Sequence, residues 1–357
     1  MSMDIARELK ELLQIVIDRD ASDLHISVGR RPTLRVDGSL TPIEEKEVVD
    51  SEFAGAFIGE ILSKEQRARF LEEKEIDLSY NFSDAARFRV NVFVQRGNFA
   101  AALRLIPTSI RTLDELTHPA LLHEITKVSQ GFFLVVGPSG QGKSTTLAAM
   151  IDEVNHHRPC HIVTIEDPIE YLFTNDKAIV DQREIGQDTK NFHIALRSVL
   201  RQDPDVIMVG EMRDPETISA AITAAETGHL VFSTLHTNNA SQTIDRIIDS
   251  FPPSQQSQIR AQLSGTLLGV LSRRLIPKVG GGRSGAFELL LANAAVKNLI
   301  RENKTHQIDL VIETSAEEGM ISLNRSLAHL VKKGEISYED AVMHSLNPSE
   351  LRILVSR

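Results

Sequence analysis

Apolar and polar residues recur along the chain with periods that distinguish helices from strands. Intervals of three and four over residues 4–19 predict an amphipathic helix, formed by Ile5, Leu9, Leu12, Leu13, Val16 and Ile17. Short strands are predicted over residues 22–27 and 33–36, and a charged helical stretch over residues 44–75. Together these elements predict a small domain that combines helices with a sheet.

Apolar residues at every second position predict a β-hairpin. These are Phe88, Val90, Val92 and Val94, then a turn over residues 96–98, then Phe99, Ala101, Leu103 and Leu105. The face opposite the valines carries Arg87, Arg89 and Arg104, with Arg96 at the turn. These arginines have two interpretations: the solvated face of a half-buried sheet, or a rigid array that binds phosphate, including that of a neighbouring subunit.

Downstream, short apolar runs alternate with helical patterns. Strands are predicted over residues 132–136, 161–165, 206–209, 230–235 and 286–291. Helices are predicted over residues 145–157, 191–201, 215–227, 254–275, 293–302 and 321–355, the last with a turn at Gly334. This alternation is typical of an α/β fold. Residues 107–119 contain two prolines and little periodicity, so we predict a first domain over 1–110, a linker over 111–119 and a second domain over 120–357.

The sequence Gly-Pro-Ser-Gly-Gln-Gly-Lys-Ser at 137–144 joins an apolar run to a helical segment. Its glycines let successive N–H groups point at phosphate oxygens, and the following helix N-terminus adds partial positive charge. Lys143 is expected to neutralise the β and γ phosphates, and Ser144 to offer its hydroxyl to Mg²⁺. A chance glycine turn explains neither the Lys-Ser pair nor its position between strand and helix. The predicted nucleotide contacts are Gly137, Pro138, Ser139, Gly140, Gln141, Gly142, Lys143, Ser144 and Thr145.

Acidic residues follow the predicted strand at 161–165. Glu166, Asp167 and Glu170 lie at the carboxyl end of that strand, the edge at which doubly wound sheets bind ligands. Three carboxylates beside a triphosphate would repel it unless a metal ion intervened. We therefore interpret them as residues that hold Mg²⁺ or its waters, and the alternative is a solvated loop.

Glu211 follows the apolar strand at 206–209. A carboxylate in that position can orient and deprotonate the water that attacks a bound nucleotide. Many core strands end in glutamate, so the pattern is specific only because the phosphate-binding sequence precedes it. We predict Glu211 as the general base.

Histidines flank the predicted strand at 230–235. His236 lies at the same sheet edge as Glu211, where a γ-phosphate sensor would lie, and His229 precedes the strand. A histidine at a strand end is often structural, which is the alternative for both. His156, His157 and His161 match no metal-ligand spacing and are interpreted as helix-end and loop residues.

Composition narrows the class of protein. The 357 residues are 41% hydrophobic, which suits globular cores, and the net charge of −10 argues against an extended nucleic-acid surface. Cys160 is the single cysteine, which excludes an intrachain disulfide and a four-cysteine zinc site and favours a reducing compartment. We expect a cytoplasmic protein without direct membrane insertion, because no apolar run approaches the ~20 residues that span a bilayer.

The order and spacing of four sequence blocks resemble the secretion-ATPase superfamily. Residues 137–144, 164–171, 205–211 and 227–236 are similar to its Walker A, Asp box, Walker B and His box. The extension and type II secretion members usually carry a four-cysteine zinc module, which a single cysteine excludes, and a longer N-terminal domain, which we do not expect here. The resemblance therefore points to the branch without them.

That branch is the PilT family of type IV pilus retraction ATPases. The likeness includes Ala-Ser-Asp-Leu-His at 21–25 and the arginine-bearing residues 87–96. Ala-Val-Lys-Asn-Leu-Ile-Arg-Glu at 295–302 is similar to the AIRNLIRE motif of retraction motors, from which Val296 and Lys297 depart. Both replacements preserve shape or charge.

The resemblance implies a fold and an assembly. The fold would be an N-terminal PAS-like α+β domain followed by a RecA-like α/β domain. The assembly would be a homohexamer with nucleotide between domains. The arginines that reach the nucleotide from the N-terminal domain would be among Arg89, Arg96 and Arg104.

The resemblance also implies an activity. This activity is Mg²⁺-dependent ATP hydrolysis that drives pilus retraction and twitching motility. The motor would act at the inner face of the cytoplasmic membrane. Its partners would be an inner-membrane platform protein and related motor ATPases. Alternatives are a PilU-like accessory motor, a pilus-extension or type II secretion ATPase, and a structural subunit that binds ATP but hardly hydrolyses it. Glu211 argues against the structural subunit.

Overall fold

The computed structural model describes residues 4–36, 38–83, 86–106 and 109–356. Contacts divide the chain into two compact units. The first comprises Met1–Ser109 and Pro168–Leu172, and the second comprises Ile110–Asp167 and Phe173–Arg357. Pro107, at the start of the proline-containing stretch, lies outside the described residues.

The first unit combines helices with an antiparallel sheet, as its sequence pattern predicts. Its helices are α1 (Ile5–Asp18), α2 (Ser51–Ile61) and α3 (Lys64–Glu73). Its strands are β1 (Asp23–Ser27), β2 (Thr33–Val36), β3 (Ser39–Pro42), β4 (Glu75–Ser83), β5 (Ala86–Gln95) and β6 (Asn98–Ile106). Within the described residues these strands form one sheet in the order β3-β2-β1-β6-β5-β4.

The sequence pattern predicts a helical stretch over 44–75. In the structure this stretch contains two separate helices, α2 and α3, and ends at the first residue of β4. The Ser63 hydroxyl accepts from the Gln66 amide while the Gln66 side chain accepts from the Ser63 amide, a capping box that begins α3. Lys74 then turns left-handed with φ of 68° and ends the helix. Strand β4 begins at Glu75, directly after Lys74, and pairs antiparallel with β5.

The predicted hairpin is confirmed as β5 and β6, with a turn shorter than expected. Arg96 and Gly97 both have positive φ, 50° and 78°, the conformation of a two-residue hairpin turn, and Asn98 already belongs to β6. In this register Arg89 lies directly opposite Arg104. The hairpin therefore places these two arginines side by side on one face.

The second unit is an α/β fold, also as predicted. Its strands are β7 (Gly131–Val136), β8 (His161–Glu166), β9 (Ile179–Glu184), β10 (Val206–Val209), β11 (Leu230–Leu235), β12 (Leu267–Pro277) and β13 (Arg283–Leu291). Its helices are α4 (Leu121–Ile125), α5 (Lys143–His157), α6 (Phe192–Val199), α7 (Pro215–Glu226), α8 (Ala240–Asp249), α9 (Pro253–Thr266), α10 (Ala294–Arg301), α11 (Ile308–Thr314), α12 (Leu323–Lys332), α13 (Tyr338–His344) and α14 (Pro348–Ser356).

The sheet order in the part of this unit that the structure describes is β13-β12-β7-β11-β10-β8-β9. Its neighbours run parallel except for β12 and β13. Every residue of β7 and β11 is buried, as expected for parallel strands covered by helices on both faces. Their carboxyl ends therefore meet at one edge of the sheet, where β7 leads into α5 and β11 into α8.

The predicted helix over 254–275 is wrong in its second half, because α9 ends at Thr266 and β12 begins at Leu267. Residues 270–273 are all buried between β7 and β13, so a one-sided helical pattern does not apply to them. Gly269 permits the close pairing with β13, since a Cβ there would lie 2.4 Å from the Leu290 carbonyl oxygen. The predicted helical tail over 321–355, with its turn at Gly334, is confirmed and consists of α12, α13 and α14.

None of the helices formed by the described residues is both long enough and apolar enough to cross a membrane.

Candidate nucleotide-binding site

The phosphate loop over 137–142 is shaped by its glycines and by β12. Gly137, Gly140 and Gly142 have φ of 148°, 74° and 82°, a region that other residues rarely adopt. A Cβ at Gly137 would lie 2.6 Å from the carbonyl oxygen of Arg273, and one at Gly142 would lie 2.9 Å from its guanidinium carbon. The close approach of the β12 backbone thus requires glycine at 137, and the positive φ favours glycine at 142.

Lys143 is the first residue of α5, and its ammonium group is buried against the loop. Nζ donates to the carbonyl oxygens of Gly137, at 2.9 Å, and Pro138, at 3.0 Å. It also lies 3.5 Å from Nδ1 of His236, as does the hydroxyl of Ser139. The loop, the lysine and the end of β11 therefore converge as the sequence predicts.

His236 lies between Lys143 and Glu211. The Glu211 carboxylate follows β10, is 14% exposed, accepts from Arg213 Nε at 2.7 Å and lies 3.7 Å from His236 Nε2. Burial, and then the Lys143 ammonium, hold the pKa of His236 below its ordinary value. A neutral imidazole with its proton on Nε2 presents the lone pair of Nδ1 to Lys143 and its N–H to Glu211.

Glu166 ends β8, the strand adjacent to β10. Its buried carboxylate accepts from the Thr164 hydroxyl at 2.7 Å and from Gln182 Nε2 at 3.1 Å. Because β8 and β10 pair in parallel with Ile165 opposite Val209, Glu166 and Glu211 emerge from neighbouring strand ends. The structure therefore places both predicted acids at the edge that carries the phosphate loop.

The other two predicted metal ligands are placed differently. Asp167 and Glu170 are exposed, and Glu170 belongs to the Pro168–Leu172 segment of the first unit. Over the described ranges, no group of three or more His, Cys, Asp or Glu side chains forms a metal-binding cluster. The carboxylates of Glu166, Asp167 and Glu170 therefore do not form a preassembled metal site, and their combined role with Ser144 stays a prediction.

His229 lies at the other end of β11 from the phosphate loop of its own chain, and its predicted contact with a nucleotide stays a prediction. It precedes β11, and its carbonyl oxygen accepts from the amide of Gly131 at the start of β7. The ring Nδ1 donates to the carbonyl oxygen of Ala224 at 2.8 Å, at the end of α7. Because β7 and β11 are parallel, these contacts lie at the opposite edge of the sheet from Lys143.

The predicted arginines lie in the first unit. Arg104 Nε donates to the Asp23 carboxylate at 2.8 Å, while 67% of the Arg104 side chain stays exposed. Arg89 is half-buried beside it, and Arg96 is exposed in the hairpin turn. The hairpin thus presents all three, and their contact with a nucleotide stays a prediction.

The buried cluster of Arg273, Thr146 and His118 beneath the loop was not predicted from the sequence. Arg273 Nη1 donates to the Gly142 carbonyl oxygen at 3.1 Å and to the Thr146 hydroxyl, and it lies 3.3 Å from His118 Nε2. The His118 ring packs on Phe287, with centroids 4.9 Å apart. Burial, and then the Arg273 charge, lower the pKa of His118 to about 3, so this histidine is neutral. The available signal was the pair Arg273 and Arg274 in a largely apolar segment, but the incorrect helix over 254–275 concealed it.

Comparisons with known proteins extend over nearly the whole chain. A family model described as type II/IV secretion system protein matches residues 2–281. The type IV pilus retraction ATPase PilT of Pseudomonas aeruginosa is 47% identical over 339 residues, which are 94% of this chain and 97% of that protein. The type IV pilus ATPase PilU of the same organism is 38% identical over 98% of this chain and 91% of that protein.

A solved structure shows the same architecture. The crystal structure of the pilus retraction motor PilT with bound ADP has a TM-score of 0.91 and 46% sequence identity, and the match covers 96% of this chain and 98% of that one. The likeness extends over both compact units.

Proposed function

The chain belongs to the type II/IV secretion system protein family, and we propose that it is an ATP-hydrolysing motor that powers type IV pilus retraction and thus twitching motility. The observation that carries this proposal is the 47% identity to a retraction ATPase over 94% of the chain. The geometry agrees, because a phosphate loop, a lysine and an acid at a neighbouring strand end converge on one edge of a parallel sheet.

The site residues have distinct parts in hydrolysis. The loop amides and Lys143 bind the phosphates, and Lys143 exchanges its bonds to the carbonyls of Gly137 and Pro138 for bonds to phosphate oxygens. Glu211 orients the attacking water and accepts its proton. His236 lies within 3.7 Å of both side chains, so it can detect whether the γ-phosphate is present at Lys143.

The oxygen donors at this edge fit a Mg²⁺ ion, which prefers carboxylate, hydroxyl and phosphate oxygens. Ser144, the second residue of α5, would bind it through its hydroxyl, and Glu166 through its buried carboxylate or a water. Asp167 and Glu170 are proposed as ligands of its outer waters. When bound, Mg²⁺ neutralises charge on the phosphates.

We propose a homohexamer built from domains 1–110 and 120–357 with a linker over 111–119. Arg89, Arg96 and Arg104 would reach a nucleotide from the first domain, because a rigid hairpin can direct guanidinium groups together at phosphate. Partners would be an inner-membrane pilus platform protein and related motor ATPases, which would place the motor at the inner face of the cytoplasmic membrane. The specific support is the similarity to PilT.

An accessory motor of the PilU kind is the second candidate. It is supported by 38% identity over 98% of the chain and by Val296 and Lys297, which depart from the retraction motif. The higher identity to PilT favours retraction.

Deletion of the gene, followed by complementation, tests the proposal. A retraction motor should restore twitching motility and pilus retraction, and the Lys143→Ala variant should restore neither. Retraction that persists in the deletion strain would identify an accessory motor, and a purified oligomer without ATPase activity would exclude both kinds of motor.

A further inference from the structure

Strand β12 extends beyond the strand that carries the phosphate loop. Its pairing with β7 ends at Ser272 opposite Val136, and β12 continues to Pro277. The continuation lies beside the phosphate loop, and successive side chains of a strand point to opposite faces. Residues 272–275 can therefore contact two different loops of the site.

One set of contacts holds the phosphate loop. The Arg273 guanidinium donates to the carbonyl oxygen of Gly142, and the Leu275 amide donates to Gln141 Oε1 at 2.6 Å. The backbone of Arg273 also lies against Gly137. Both ends of the loop are thus fixed to this part of β12.

The neighbouring residues on the opposite face hold the segment that follows His236. The Ser272 hydroxyl donates to the Asn238 carbonyl oxygen at 2.9 Å. Arg274 Nη2 donates to Asn238 Oδ1 at 3.2 Å and approaches its carbonyl oxygen at 3.4 Å. Ser272, Arg274 and the residue opposite Ser272 on β13, Glu288, form what we call the Asn238 clamp.

Glu288 completes the clamp at the start of α8. Its buried carboxylate accepts from the amide of Ala240, the first residue of that helix, at 2.7 Å. A carboxylate at a helix N-terminus is stabilised by the helix dipole. The clamp therefore fixes Asn238 and Ala240, while His236, two residues before Asn238, has no strand or helix of its own to fix it.

We propose that Arg274 and Glu288 are positioning residues for His236, and that β12 aligns the phosphate loop with the His236 segment. This inference rests on the proposed function, in which His236 detects the γ-phosphate. Because His236 lies only 3.5 Å from Lys143 and 3.7 Å from Glu211, a small displacement of the segment would remove both contacts. The clamp should affect turnover more than nucleotide affinity, since none of its contacts is to the phosphate loop.

The charge of Glu288 supplies a readout that a purely structural residue would lack. Burial raises the pKa of Glu288 to about 7, with Asp309 of α11 raising it further while the Ala240 amide and Arg274 lower it. Above that pH the ionised carboxylate accepts more strongly from the Ala240 amide. The clamp therefore predicts that kcat rises with pH through about 7.

The test uses the full-length protein and measures kcat, the KM for ATP, the Kd for ADP and the pH dependence of kcat. We expect kcat to fall roughly tenfold in Arg274→Ala, the scale of one lost charge-assisted hydrogen bond, with ADP affinity within about twofold of the parent. Arg274→Lys should recover part of the rate. Glu288→Gln should abolish the rise in kcat near pH 7. Arg283→Ala, an exposed arginine on the same hairpin, is the matched control.

His236→Ala separates this inference from the function on which it rests. Parent-like turnover in His236→Ala would refute the sensor role of His236. Slow turnover in His236→Ala combined with parent-like rates and pH profiles in the Arg274 and Glu288 variants would overturn the clamp. If Arg274→Ala does not fold, Arg274→Lys and Ser272→Ala decide instead, because each keeps most of the packing and a parent-like kcat in both would overturn the clamp.

Discussion

The phosphate loop and the arginine face of the β5–β6 hairpin are both candidates for binding phosphate, but they are built differently. In the loop, three glycines have positive φ, and the groups expected to bind phosphate are chiefly backbone amides. On the hairpin, Arg104 is directed by a single carboxylate, Asp23, and most of its side chain is exposed. The loop is thus preorganised by its backbone, whereas the hairpin depends on long side chains.

This difference has a consequence for mutation. Because backbone amides supply most of the predicted contacts of the loop with phosphate, Lys143 brings the only side-chain charge expected beside them, and its removal should have a large effect. Exposed guanidinium groups that lie side by side can substitute for one another in part. Variants of the hairpin should therefore give graded effects.

Lys143→Ala tests the loop and should have the largest effect. Without the ammonium, phosphate charge is not neutralised, and we expect turnover to fall at least about 100-fold, which corresponds to about 2.7 kcal/mol. The steady-state ATPase rate measures this, and Lys127→Ala, on an exposed side chain, is the control. Parent-like ATPase activity in a folded Lys143→Ala protein would remove the loop from the site.

Glu211→Gln separates chemistry from binding. The amide keeps the shape of the carboxylate but cannot accept the proton of water, so we expect retained ATP binding with turnover lowered by about 100-fold. Nucleotide analysis of the purified protein should find intact ATP. The control is Glu216→Gln, an exposed acid five positions later in the chain. If Glu211→Gln hydrolyses ATP at the parent rate, the general base must be another acid, such as Glu166 or Glu170.

Arg104→Ala and Arg89→Ala test the hairpin. If these arginines contact the γ-phosphate, each replacement should lower the ATPase rate roughly tenfold and change ADP affinity less. The two measurements are made on the same folded oligomers, with Arg69→Ala as an exposed control in the first unit. Parent-like rates in both variants and in Arg96→Ala would assign the face to solvent instead.

His118 should have the smallest effect, and on stability rather than turnover. Its pKa of about 3 in the fold lies below the ordinary 6.5, so the unfolded chain binds the proton first, and stability is lost as pH falls from about 6.5 toward 3. For this one group, the free energy of unfolding can fall by at most about 1.4 kcal/mol per pH unit. Thermal unfolding of His118→Phe between pH 6.5 and 5 should show a shallower loss than the parent. His157→Phe, at an exposed helix end, should keep the parental slope.

The phosphate loop was predictable because its conformation is encoded locally. Glycines at fixed spacing, a preceding apolar strand and a following helix are all contained in about 25 consecutive residues. Glu166, Glu211 and His236 were predictable for a related reason, since parallel strands bring their carboxyl ends to one edge whatever the packing around them.

The supports of the site were not predictable, because they depend on contacts between distant residues. His118 and Arg273 are 155 positions apart in the sequence and come together only in the fold. The incorrect helix over 254–275 hid strand β12, and no local pattern shows that Asp23 faces Arg104 across β1 and β6. His229 and His236 flank the same strand, and its pattern alone does not tell which of its two ends faces a nucleotide.

Successive side chains of β12 point to opposite faces of the sheet, and this limits where insertions and deletions can be tolerated. Deleting or inserting one residue near 273 would turn every following side chain to the other face of the sheet, so both loops would lose their supports in a single event. The hairpin turn a few residues later differs, because Gly280, Gly281 and Gly282 are exposed and have no neighbour within 4 Å of an added Cβ. Natural length variation in this part of the protein should therefore accumulate at the glycine turn and be absent from the strand before it.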